Sequence, residues 1–148
     1  MKMMPKKTKY RKLQRGTMKG RSKGCRTVDF GEYGLQALTP AWISAQQIEA
    51  LRVTLSRTLK KEGKFFIRMF PDRPVTKKPA ETRMGKGKGN PEFWAAVVKR
   101  GRIMCEVSGI SEQRARDLMK VVTSKLPIRT RFVTKQETLM EEADEKSC

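Results

Sequence analysis

The chain contains no histidine. That absence removes the commonest general base and the commonest metal ligand, and leaves carboxylates as the conceivable catalytic groups. Cysteine is scarce too: Cys25, Cys105 and Cys148 make an odd count with no C-x-x-C spacing, which supports neither a disulfide framework nor a zinc site and fits a reducing compartment. With no histidine to activate it, Cys105 reads as a small buried hydrophobe rather than a nucleophile. No apolar run approaches the ~20 residues of a membrane-spanning helix. The basic start, Met1 to Lys12, has no apolar stretch of the kind a secretory signal needs, so export is not expected. From Lys2 to Arg26 there is no acidic residue at all.

What is present is positive charge. Lys and Arg number 34 against 15 Asp and Glu in 148 residues, a formal net charge of +19. Such a surplus calls for a polyanion, and nucleic acid is the first choice. An anionic membrane surface would want a basic amphipathic helix, whereas the basic segments here are rich in Gly and Pro. The densest is Arg83-Met84-Gly85-Lys86-Gly87-Lys88-Gly89, in which cations alternate with residues that leave the backbone bare for close approach to phosphate. It is not a nucleotide-binding P-loop: no Ser or Thr follows a Gly-Lys pair, and Pro91 blocks a helix start. Its neighbouring acids, Asp72 and Glu81, read as turn or ion-pair residues. Tyr10, among Lys9, Arg11 and Lys12, could stack on a base.

The length fits one domain with tails. Residues 1–26, with Gly16, Gly20 and Gly24, read as an extended basic arm. Residues 27–135 read as a single α+β domain. Short strands are expected at Val28 to Phe30 and Leu35 to Leu38. Ser44 and Gln47 form a capping-box pattern, after which Ile48, Leu51, Leu55 and Leu59 mark one face of a helix that Gly63 ends. Lys64 to Phe70 alternates like a strand, with Met69 in the core. Residues 71–91 carry four prolines and read as a long projecting loop of functional kind. Phe93 to Val98 and Arg102 to Val107 read as a hairpin turning at Arg100-Gly101. Ser111 caps a second helix with Ala115, Leu118, Met119 and Val122 on its apolar face, and Arg129 to Thr134 is a last strand. Trp42 and Trp94 read as packing anchors. Residues 136–148 turn acidic and read as a solvated tail. The expected fold is therefore a mainly antiparallel sheet of about six short strands with two helices on one side. No internal repeat is found.

Lys64-Phe65-Phe66-Ile67-Arg68-Met69-Phe70-Pro71-Asp72-Arg73-Pro74, Thr76-Lys77-Lys78-Pro79 and the Arg83 to Gly89 run closely resemble the bacterial ribosomal protein L-sixteen family. So do Pro5 to Lys12, Gln47 to Ala50, Lys125-Leu126-Pro127 and Phe132-Val133, which brings the resemblance to about nine-tenths of the chain. Gln46 stands where an Arg commonly precedes the Gln-Ile-Glu-Ala run, and Phe66 replaces the usual Trp. The resemblance implies a non-enzymatic constituent of the large (50S) subunit that binds 23S rRNA near the aminoacyl-tRNA site and peptidyl-transferase centre and supports subunit assembly. Lys6, Lys7, Lys9, Tyr10, Arg11, Lys12, Arg15, Lys77 and Lys78 would lie along rRNA. Arg83, Met84, Gly85, Lys86, Gly87, Lys88 and Gly89 would approach aminoacyl- and peptidyl-site tRNA. Other large-subunit proteins are implied neighbours, and neither a homo-oligomer nor a membrane partner is expected. No cofactor is expected apart from structural Mg2+ associated with rRNA. The implied location is the ribosome of a bacterial cytoplasm, with an organellar ribosome as the alternative. A free RNA-binding chaperone or translation regulator is the competing function.

Overall fold

Ser44 starts the clearest element of the chain. In the computed structural model, which describes residues 3–60 and 62–146, its hydroxyl accepts from the Gln47 amide at 3.3 Å. The Gln47 side chain returns the favour to the Ser44 amide at 2.9 Å. This capping box satisfies two amides that a helix start leaves without partners. Helix α1 then runs Ala45–Leu59 and buries Ile48, Leu51, Leu55 and Leu59 as the spacing requires. Just before it, strand β1 spans Tyr33–Ala37 and β2 spans Ala41–Ser44. Beyond it come β3 at Lys64–Ile67, β4 at Arg73–Lys77, β5 at Asn90–Val98 and β6 at Ile103–Ser108. Helix α2 at Glu112–Thr123, β7 at Thr130–Thr134 and helix α3 at Lys135–Lys146 complete the order.

The architecture is α+β with antiparallel pairing, as expected, but the strands divide into two sheets. One has the order β3-β6-β1-β7 and the other β2-β5-β4. Between them and the helices lies a core that includes Leu35, Ile43, Met104, Val107, Leu118 and Met119. Met69 and Cys105 are buried in it. Helix α2 turns Ala115, Leu118, Met119 and Val122 inward, although the Ser111 side chain at its start makes no capping bond.

Four local expectations give way, three of them to longer-range contacts. Val28 to Phe30 is not a strand: Val28 packs with Ile103 and Val133, and the Phe30 and Gly31 amides donate to the Glu106 carboxylate instead of a neighbouring strand. The turn at Gly101 forms, with φ +86°, yet β5 and β6 are not a hairpin. The Gly101 amide donates to Ala37 O at 2.7 Å, so the turn carries the chain from one sheet to the other. Within 71–91, β4 and the start of β5 occupy residues expected in the loop and leave 78–89 as their connection. Pro74 is tolerated because β4 is an edge strand, and Pro91 because it sits where the register shifts opposite Thr76. Finally, residues 135–146 form a helix where only a solvated tail was expected. The Glu137 carboxylate accepts from the Thr134 amide and the Thr134 hydroxyl from the Glu137 amide, a capping box that the acidic composition had masked. Thr138 is buried, and its hydroxyl accepts from Val28 N at 3.3 Å. Met1, Lys2, Lys61, Ser147 and Cys148 lie outside the described residues.

Candidate nucleic-acid interface

Strands β4 and β5 and the connection 78–89 carry the glycine-lysine run away from the core. Lys77 ends β4, and the Lys78 ammonium donates to Gly85 O at 2.7 Å across the loop. Gly85, Lys86 and Gly87 follow one another with φ of +96°, +55° and +80°. Two of these left-handed positions need glycine, and the third holds a lysine at a conformational cost. A Cβ on either Gly85 or Gly87 would meet nothing within 4 Å, so it is the backbone turn that selects glycine here. Gly89 differs: a Cβ there would stand 2.6 Å from Lys77 O, and its absence lets the two ends of the loop close on one another. Arg83, Lys86 and Lys88 are exposed, and Met84 is 99% exposed.

Residues 3–26 form no helix or named strand, only an isolated bridge between Arg21 and Arg100. Lys6, Lys7, Lys9, Tyr10, Arg11, Lys12 and Arg15 are all exposed along this arm, with the Lys9 ammonium 5.6 Å from the Tyr10 ring centroid. The arm meets the loop. Lys12 Nζ donates to Lys88 O at 2.8 Å, and Lys88 Nζ donates to Leu13 O. Arg73 of β4 donates to Gln14 O. Lys12 and Arg15, expected in the arm, and Lys88, expected in the loop, thus converge over the three-stranded sheet. Lys6 to Arg11 lie farther along the arm, and Arg83 to Gly87 farther along the loop.

Three participants, Trp42, Arg73 and Gly16, were not expected at the interface from the sequence. Trp42, expected as a packing anchor, is only partly buried. The guanidinium carbons of Arg15 and Arg73 lie 5.7 and 5.2 Å from its ring centroid, within cation–π range. Ala41-Trp42-Ile43-Ser44 alternates with Ile43 inward, and that period-two pattern is the signal that Trp42 faces the other way. Arg73 needed the pairing of β4 to be recognised. Gly16, with φ +66°, brings the arm so near that a Cβ would lie 3.2 Å from an Arg73 nitrogen.

A separate charged cluster fastens the base of the arm. Arg68 donates to Glu106 and to Thr27 O, each at 2.5 Å, and to Asp29 at 2.7 Å. Its guanidinium carbon also lies 5.2 Å from the Phe30 ring centroid. Burial disfavours the Arg68 charge, but hydrogen bonds and attraction from Glu106 and Asp29 outweigh it and hold its pKa above the usual value. Burial, with the Glu106 charge adding to it, pushes the Cys105 thiol up to about 12, so this thiol is not a nucleophile at neutral pH.

Residues 5–133 match the family described as ribosomal protein L16p/L10e. The chain is 55% identical over 135 residues to the large ribosomal subunit protein uL16 of Heliobacterium modesticaldum, covering 91% of this chain and 94% of that protein. It is 57% identical over 133 residues to the protein of the same name from Pseudothermotoga lettingae, covering 90% and 94% respectively.

Proposed function

Because the chain belongs to the ribosomal protein L16p/L10e family, a family of structural proteins rather than enzymes, we propose that it binds 23S rRNA in the large ribosomal subunit. The arm and the three-stranded sheet that it crosses lie along rRNA, and the tip of the 78–89 loop reaches toward aminoacyl- and peptidyl-site tRNA. Other large-subunit proteins flank it, and Mg2+ at the interface is held by the RNA. Convergence of arm and loop carries this reading: Lys12, Arg15, Arg73 and Lys88 are gathered on one surface by contacts to backbone carbonyls and by Trp42. No carboxylate is needed to hold these side chains, so their charge stays available to phosphate.

The test is a cell whose only copy carries Lys86→Glu with Lys88→Glu. The two changes replace two positive charges by two negative ones in a loop outside the core, so the purified variant should keep the folded body intact. Large subunits should mature slowly or accept aminoacyl-tRNA poorly, read by gradient sedimentation and by tRNA binding to isolated subunits. Normal translation with full incorporation would overturn the role of the loop. Substoichiometric recovery of the unaltered protein with large subunits would favour a free chaperone.

A further inference from the structure

A cleft of about 420 Å³ opens between the arm and the three-stranded sheet, inside the ~300–1,000 Å³ range of sites that enclose a small ligand. Leu13, Trp42 and Pro74 supply apolar wall, while Arg15, Arg73 and Lys88 supply three cations with no carboxylate among the lining residues. The indole N–H of Trp42 is buried with no acceptor among the described residues, an unmet donor that an oxygen reaches once the groups covering it shift. The two guanidiniums already lie over the Trp42 ring. A cleft of this size cannot take a duplex, its cations suit no apolar ligand, and its aromatic wall is more than a phosphate alone would use. An aromatic ring faced by guanidiniums offers stacking planes for a base, with a further cation beside them for its phosphate.

We propose that this cleft binds one RNA nucleotide turned out of its helix. The base continues the stack of guanidinium on Trp42, an acceptor on the base or ribose takes the Trp42 N–H once its cover shifts, and Lys88 meets the phosphate. Gly16 keeps the arm close above Arg73, so the arm forms one wall. The proposal rests on the rRNA-binding reading and locates within that surface a pocket able to discriminate an unpaired nucleotide from a paired one.

The test uses the full chain and fluorescein-labelled RNA hairpins of identical stem, one fully paired and four carrying a single bulged A, C, G or U. Binding is measured by anisotropy at fixed salt. The parent should prefer at least one bulged hairpin over the paired one by roughly 5- to 150-fold, the range expected for one stacked base. Trp42→Leu should bring that ratio near one. Arg15→Gln, on the exposed arm, should also reduce the ratio, and it decides the matter if Trp42→Leu fails to fold. Loss of a phosphate contact alone would weaken all five RNAs alike and leave the ratio unchanged. Equal binding of all five by the parent, with steep salt dependence, would overturn the cleft and leave the rRNA reading standing. A preference that survives in both folded variants would equally overturn it. Binding to none of the RNAs would count against the rRNA reading itself.

Discussion

Glu106 shows how much a single buried carboxylate can organise. It is fully buried on β6 and accepts hydrogen bonds from the Phe30 amide at 2.7 Å, the Gly31 amide at 2.8 Å and Arg68 at 2.5 Å. Gly31 must lack a side chain for this approach, since a Cβ there would lie 2.6 Å from Val107 O. The Arg68 side chain is only 10% exposed, so its remaining carboxylate, the half-exposed Asp29, would have to neutralise it alone if Glu106 were removed. Glu106→Ala also leaves two amides without acceptors. Breaking such a pair from one side should cost about 3–5 kcal/mol, measured by urea denaturation. Glu106→Gln, which keeps the shape and an acceptor oxygen, should cost less than the alanine change. A loss below about 1 kcal/mol for Glu106→Ala would mean that water replaces the carboxylate. The residue gave no such signal in the sequence, where it is one acid inside an apolar strand; only the return of residues 28–31 over β6 makes it central.

At the scale of elements, legibility follows the range of the determining contacts. Helix α1 was readable because Ser44, Gln47 and the spacing of Ile48, Leu51, Leu55 and Leu59 are contained within sixteen consecutive residues. Leu55→Ala should therefore destabilise the body by about 2–5 kcal/mol, seen as a lower denaturation midpoint; an unchanged midpoint would contradict its burial. Strand partners were not readable in the same way. Whether β5 pairs with β6 depends on where the Gly101 amide finds an acceptor, and it finds Ala37, sixty-four residues earlier in the chain. Helix α3 is hidden by composition, because its acids suggest solvation while its start rests on the Thr134 and Glu137 cap alone. The candidate interface divides likewise. Its cations and glycines stand together in sequence as Arg83 to Gly89 and as the arm. Trp42 and Arg73 join them only after a strand register and an arm crossing are set.

The charge of the whole molecule acts on stability and on binding with opposite signs. A formal +19 from 34 basic and 15 acidic residues repels itself in the free chain, and several of the cations are drawn together where arm meets loop. Raising salt screens that repulsion, because the Debye length shrinks from ~30 Å at 0.01 M to ~8 Å at 0.15 M. The thermal midpoint of the RNA-free protein should thus rise with salt across that range. Affinity for rRNA fragments should fall over a comparable change, since binding releases counterions condensed on phosphate. With roughly 6–10 phosphates contacted, the loss between 50 and 200 mM salt is about 10³- to 10⁵-fold. Titrations of both quantities in one buffer series check the pair. A midpoint that fell with salt would place the stabilising electrostatics in exposed ion pairs such as Arg116 with Glu112 rather than in relieved repulsion. A shallow fall in affinity would mean that few of the cations gathered by the arm and loop reach phosphate.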